Sequence, residues 1–223
     1  MDPVELGVYA CVGLAVVAPA AIILLAVRND HQRRNALWEW TTDNNWTCTQ
    51  NAYANWTARL PGGTKGRLDL AMTGRLGDRW VTVADYRYQT TRVTYDSDNN
   101  PSKKVTTHHY NVVVVHLDRP YPPIAVVPRG PLSQLARTMF GDKPTATGNP
   151  DFDSRYRIHT GEPDYARWLI GKPLIDAHLS GVIPHWSLGG HELLTYRAGR
   201  LQHPDAIPSL AAPLLHIADL LPR

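Results

Sequence analysis

Residues 7–27 read GVYACVGLAVVAPAAIILLAV, with no charge and almost no hydrogen-bonding side chain. As a helix such a run rises about 31 Å, matching a hydrocarbon core about 30 Å thick. A helix inside a globular core is seldom apolar on every face for that long. The run therefore predicts a transmembrane helix over 7–27, with Pro19 kinking it modestly in mid-span. A cleavable leader fits less well. The start is acidic, with Asp2 and Glu5, and no small-x-small site stands where the chain has Leu25, Ala26, Val27 and Arg28.

Charge orients the expected span. Arg28, Arg33 and Arg34 crowd its C-terminal flank and the N-terminal flank has no Lys or Arg. Positive residues stay inside, so these three act as membrane-orienting residues. The expected order is an extracytoplasmic N-terminus at 1–6, the transmembrane helix at 7–27, a juxtamembrane helix at 28–45 and a cytoplasmic α+β domain at 46–223, all at the cell membrane. Gly7, Cys11 and Ala15 recur every four residues, a small-xxx-small stripe that permits an oligomer through close helix approach. Small residues are common in such spans, and chance alone gives this spacing.

The rest of the chain reads as one domain. Residues 28–223 carry 23 basic residues against 18 acidic, a net +5. That is short of the Lys/Arg clustering a nucleic-acid binder needs, so no nucleic-acid partner is expected. The lipid bilayer and a protein partner at the cytoplasmic leaflet are. Cys11 lies in the apolar run and Cys48 beyond it, so the pair offers no disulfide, and a reducing compartment fits.

Period-two patterns dominate 67–117. Leu68, Leu70 and Met72 alternate, a turn at 76–78 follows, and Trp80, Thr82, Ala84, Tyr86 and Tyr88 then share one side of a long strand. The polar stretch DSDNNPSKK is a hairpin tip, and Val112, Val113, Val114 and Val115 mark a return strand buried on both faces. A short strand at 124–127 precedes a helix at 131–140 that begins with Pro131. Residues 153–159 suggest a strand, 162–170 and 173–179 two helices, and Gly189-Gly190 the turn of a hairpin joining 184–188 to 191–196. A last helix carries Ile207, Leu210, Leu214, Ile217 and Leu221, with Pro208 and Pro213 delaying or bending it. Strands followed by mixed helices give an α+β fold, with an antiparallel β-meander sheet and packed helices.

No catalytic set survives inspection. His108 and His109 are neighbours on a strand and point to opposite faces, while His108 and His116 are about 26 Å apart along it. Neither pair can share a zinc ion, whose bonds are about 2 Å, so no metal or cofactor is implied. The stretch His191-Glu192-Leu193-Leu194-Thr195 has Thr where a zinc protease needs its second His. His185, Ser187 and Glu192 share a hairpin face, but Ser187 lies nearest Glu192, whereas a triad needs His in the middle. Asp85 and Arg87, on the face of Val81 and Val83, read as polar or ligand contacts or as a partly buried ion pair. The seven tryptophans read as core and interface anchors.

Several stretches carry a likeness: RRNALW at 33–38 followed by Asn45-Trp46, VADYRY at 83–88 with HHY at 108–110, and DFDSRY at 151–156. In these the chain resembles a family of actinobacteria-like single-span membrane proteins with a cytoplasmic α+β domain. The resemblance implies that architecture and brings no activity or catalytic residues. The residues thus point to a non-enzymatic, membrane-anchored interaction module. A membrane-anchored hydrolase whose site is assembled from distant residues, or a structural subunit of a membrane complex, are the alternatives.

Overall fold

Apolar alternation and β-branched runs become one sheet. The computed structural model describes residues 3–95, 99–130 and 143–222, with side chains of the first helix described from Leu24 onward. The strands are β1 (Thr47–Gln50), β2 (Arg67–Leu76), β3 (Arg79–Tyr95), β4 (Pro101–Pro128), β5 (Lys143–Thr145), β6 (Tyr156–Thr160) and β7 (Trp186–Ala198). The helices are α1 (Pro3–Asp43), α2 (Pro150–Arg155), α3 (Pro163–Leu169), α4 (Lys172–Leu179) and α5 (Ile207–Leu220). The strands form one antiparallel sheet in the order β1-β2-β3-β4-β6-β5, with β7 on β4. The expected α+β class and antiparallel meander are found.

β4 is the spine of the sheet. β7 pairs with it from Tyr110 to Val126, while β3 pairs with its first half and β6 with residues 124–128. Val113, Val115, Ile124 and Val126 face a core built with all five helices. Val112 and Val114 face a smaller core closed by Trp56 of the short helical turn Asn55–Arg59 and by Leu60 just after it. Both faces of the central strands are covered, which is why Val112–Val115 could be apolar throughout.

The expected transmembrane helix is corrected. Among the described residues no helix is long and apolar enough to cross a membrane. Residues 7–27 are not a separate element but the first half of α1, which continues unbroken through the segment expected as a juxtamembrane helix. The reason is local. After Val27 the chain has neither Gly nor Pro before Asn45, so nothing breaks the helix, and charged residues recur through its second half. Gly7, Cys11 and Ala15 lie where α1 side chains are outside the described residues.

What stops α1 is Asn45, at φ 56°. The Asn45 amide donates to Thr42 O at 3.3 Å and the Trp46 amide to Thr41 O at 2.7 Å, the paired bonds of a Schellman cap. Trp46 then folds back on Trp40, ring centroids 5.3 Å apart and edge to face.

Other expectations change in detail. Gly189-Gly190 is no hairpin turn: β7 runs straight through, opposite a bulge where β4 carries extra residues between His116 and Ile124. Gly190 adopts φ 59° there, and Arg59 packs over Gly189. Residues 150–155 form α2 before β6 begins, because Asn149 accepts from the Phe152 amide at 3.1 Å and caps a helix that starts with Pro150. In α5, Pro208 falls in the first turn, where Pro is tolerated, and the helix continues through Pro213. The helix expected at 131–140 lies outside the described residues.

Candidate functional site

The polar residues of α1 turn toward the sheet. Asp30, Arg33, Arg34, Leu37 and Thr41 recur at helical spacing, and Leu37 and Thr41 are buried. Arg33 Nη1 lies 2.6 Å from Asp85 Oδ2 and donates to Leu201 O at 2.9 Å. Asp85 Oδ1 accepts the Leu201 amide at 3.0 Å. Asp30 gathers Arg33, Arg34 and Arg200 at 3.2, 2.9 and 3.0 Å. Burial would lower the Arg33 guanidinium, but the hydrogen bond and charge of Asp85 outweigh it and hold the group above its usual value. Burial would likewise raise Asp30, and its arginines lower it on balance.

The three arginines expected from the sequence to orient a membrane span therefore differ. Arg28 is exposed, Arg34 is half-exposed and paired to Asp30, and Arg33 is withdrawn into the domain. Asp85 and Arg87 share a face but not a partner. Asp85 takes Arg33, and Arg87 Nε lies 2.7 Å from Asp69 Oδ1.

On the opposite face an aromatic row crosses three strands. Tyr88 stacks on His108 at 4.7 Å and on Tyr110 at 6.0 Å, and Tyr110 meets Tyr196 edge to face at 5.6 Å. The Tyr86 hydroxyl donates to Pro61 O at 2.8 Å, and burial pushes its pKa up to about 12. His109, across the sheet from His108, accepts from Arg200 Nε at 3.2 Å. Its pKa is lowered by burial and then by the Arg200 charge.

Beyond this row the β3–β4 pair leaves the core. From Gln89 to Tyr95 and from Pro101 to Thr107 every described residue is exposed, yet the register continues from Gln89↔Thr107 to Tyr95↔Pro101. Arg92 stands directly opposite Lys104, with Val93 opposite Lys103. Val93, Tyr95 and Val105 add exposed apolar surface.

A cleft of about 370 Å³ opens on the helix-bearing face, between β4, β7, the 181–185 segment and α5. Asn111, 2% exposed, lines it with Val113, Thr195 and Leu210. Neither the Oδ1 nor the Nδ2 of Asn111 has a hydrogen-bond partner among the described residues, and His185 Nε2 has none either. Burial lowers the His185 pKa, which favours the neutral ring.

The rejected triad residues are not brought together. Glu192 pairs with Arg59 at 3.0 Å, Ser187 is buried and the His185 backbone carbonyl takes the Thr195 hydroxyl at 2.7 Å. Among the described residues no group of three His, Cys, Asp or Glu side chains could hold a metal ion. The sequence reading missed Asn111 because a polar residue ahead of a valine run looks like a strand end. It also missed the exposed ribbon, for which the unbroken β-propensity on both sides of the polar tip was the available signal.

Architecture and surface together define an α+β domain built on one seven-stranded antiparallel sheet, from which a two-stranded ribbon extends. The crystal structure of the mycobacterial trehalose monomycolate transport factor A, TtfA, is similar, with a TM-score of 0.52 and 9% sequence identity over 84% of this chain and 95% of that one. At that identity the likeness shows the fold alone. No family model and no curated protein matches the chain.

Proposed function

We propose that this chain is a non-enzymatic interaction module held at the cytoplasmic face of the cell membrane, where it presents its ribbon to an acidic protein surface. The observation that carries the reading is the β3–β4 ribbon. A two-stranded ribbon with both faces in water is at best marginally stable. Setting Arg92 opposite Lys104, beside Lys103, adds like-charge repulsion across the strands. Carboxylates of a partner would relieve that repulsion, and the exposed Val93, Tyr95 and Val105 would supply apolar contact.

α1 supports the membrane part of the reading. Leu24, Leu25 and Val27 are exposed on it just ahead of Arg28. The Arg33–Asp85 pair fixes the helix to the sheet, so whatever holds that apolar turn also sets the direction of the ribbon. TtfA, a transport factor by name, shares the scaffold. A partner-binding role without chemistry is compatible with that name, although one fold hosts many functions.

The test is a mild-detergent pull-down from membranes with the full chain and with a variant in which a short turn replaces residues 90–106. A partner recovered with an acidic contact surface, and lost with the shortened ribbon at unchanged melting temperature, supports the reading. Recovery of the same partner by both proteins, or binding of the ribbon to anionic vesicles with no protein partner, overturns it.

A further inference from the structure

We infer that the cleft between β4, β7 and α5 is a binding site for a single-chain anionic amphiphile: a medium-chain carboxylate whose tail lies along the cleft and whose head meets Arg197. The inference goes beyond the ribbon reading and does not depend on it.

The lining selects the tail. Val113 on β4, Val182 and Ile183 in the segment before β7, and Leu210 and Pro213 on α5 give the cleft mainly apolar walls. Val182 is 58% exposed and Leu210 half-buried, so this surface is open to an incoming chain. The polar atoms around it are occupied or shut away. The Ser209 and Thr195 hydroxyls donate to Ala206 O at 2.8 Å and His185 O at 2.7 Å. The Asn111 amide and His185 Nε2 are covered by their neighbours and cannot be touched from the opening. What the walls offer a ligand is therefore hydrocarbon contact. A volume of about 370 Å³ is at the small end for ligand sites. It holds one short chain and not the two chains of a phospholipid.

Charge selects the head. Among the described residues that line the cleft, Arg197 alone is charged. Strand register sets it level with Asn111 and, one strand further, with Asp85. Asp85 is already held by Arg33 at 2.6 Å and by the Leu201 amide at 3.0 Å, so it does not answer Arg197. Arg197 is exposed and has no ion pair or hydrogen bond with another described residue. A guanidinium presents a planar fork of donors that a carboxylate accepts two at a time. A cationic head would be repelled, and a neutral one would give the guanidinium little that water does not. Because the head stays in water, the tail contributes most of the affinity and the charge chooses between ligands.

The probe is octanoate, titrated into the full chain in phosphatidylcholine nanodiscs at free concentrations fixed by dialysis. The methyl resonances of Val113, Ile183 and Leu210 are followed by NMR. Saturable shifts are expected with octanoate, about fivefold weaker binding with octanol, as an exposed ion pair implies, and weaker binding still with octylammonium. Hexanoate should bind about tenfold more weakly than octanoate, since it buries fewer methylenes. Arg197→Gln should bring octanoate and octanol level, and Arg197→Glu should put octylammonium ahead of octanoate. The side chain is exposed, so both variants should keep the wild-type melting temperature. Equal affinity of octanoate and octanol for the wild type, or a preference for octanoate that survives Arg197→Gln, overturns the inference. So does the absence of a saturable shift below the concentration at which octanoate forms micelles, or a shift produced by phosphatidylglycerol in the discs and not by octanoate.

Discussion

Arg33 of α1 and Asp85 of β3, 52 residues apart in sequence, meet at 2.6 Å with their side chains 8% and 5% exposed. Removing one partner of a buried pair leaves an uncompensated charge and typically costs about 3–5 kcal/mol. Asp85→Ala should lose that much in denaturant unfolding, since it also frees the Leu201 amide. Replacing both residues with apolar ones, Arg33→Met with Asp85→Leu, should cost clearly less than the two single changes added together. A double-mutant cycle that closes additively would show that the pair does not hold α1 to the sheet.

His178 gives the domain a pH response. It is buried, accepts from Trp186 Nε1 at 2.9 Å, and has its pKa lowered to about 4 by burial and then by the neighbouring His185. The ring is thus neutral in the folded chain, whereas the unfolded chain binds a proton below about 6.5. Stability from this group is complete above about 6.5 and is lost as the pH falls toward 4, on the order of 3 kcal/mol in total. His178→Gln keeps an acceptor for Trp186 but does not titrate. Its unfolding free energy should fall less steeply than the wild type's between these two values. Parallel curves would place the titrating groups elsewhere.

Periodicity gave the faces of β3 but not of β2, where a bulge between Leu68 and Leu70 turns Leu68 to the smaller core while Leu70 and Met72 face the larger one. Trp80, Thr82, Ala84, Tyr86 and Tyr88 alternate strictly, so β3 and its faces could be read from the residues. Gly189-Gly190 looks like a hairpin turn in any isolated sequence. Only the bulge of β4 across from it shows why two glycines serve a continuous strand. Arg33 reads as a flanking charge until Asp85, distant in sequence, claims it. Asn111 carries no local sign that both amide atoms will be left unmatched.

Asn45 ends α1 in the left-handed region, which costs a residue with a β-carbon about 1–2 kcal/mol and a β-branched one more. Asn45→Gly should be neutral or slightly stabilising, and Asn45→Val should lower stability by about 2 kcal/mol. Thermal unfolding of the two variants checks the ordering. Equal melting temperatures would mean that the cap does not hold this end of the helix.

Trp46 lies flat against Gly74 of β2, where an added β-carbon would come within 2.3 Å of the indole. Gly74→Ala should therefore destabilise by about 1–3 kcal/mol through overpacking. Combined with Trp46→Leu, which makes room, the same change should cost much less than it does alone. Denaturant midpoints of the single and double variants measure that coupling.

The pairing scheme of β4 also dictates an order of assembly. Its partner β3 precedes it in the chain, but β7 is synthesised nearly sixty residues after β4 ends. Until then the edge of β4 that carries Val112–Val115 is open along its length, and unpaired edges of β-branched residues recruit other chains. A nascent or C-terminally shortened chain should for this reason depend on chaperones and aggregate by strand addition. The thirty-five residues from Trp186 of β7 to Leu220 of α5 therefore shield the sheet from self-association as well as complete its core.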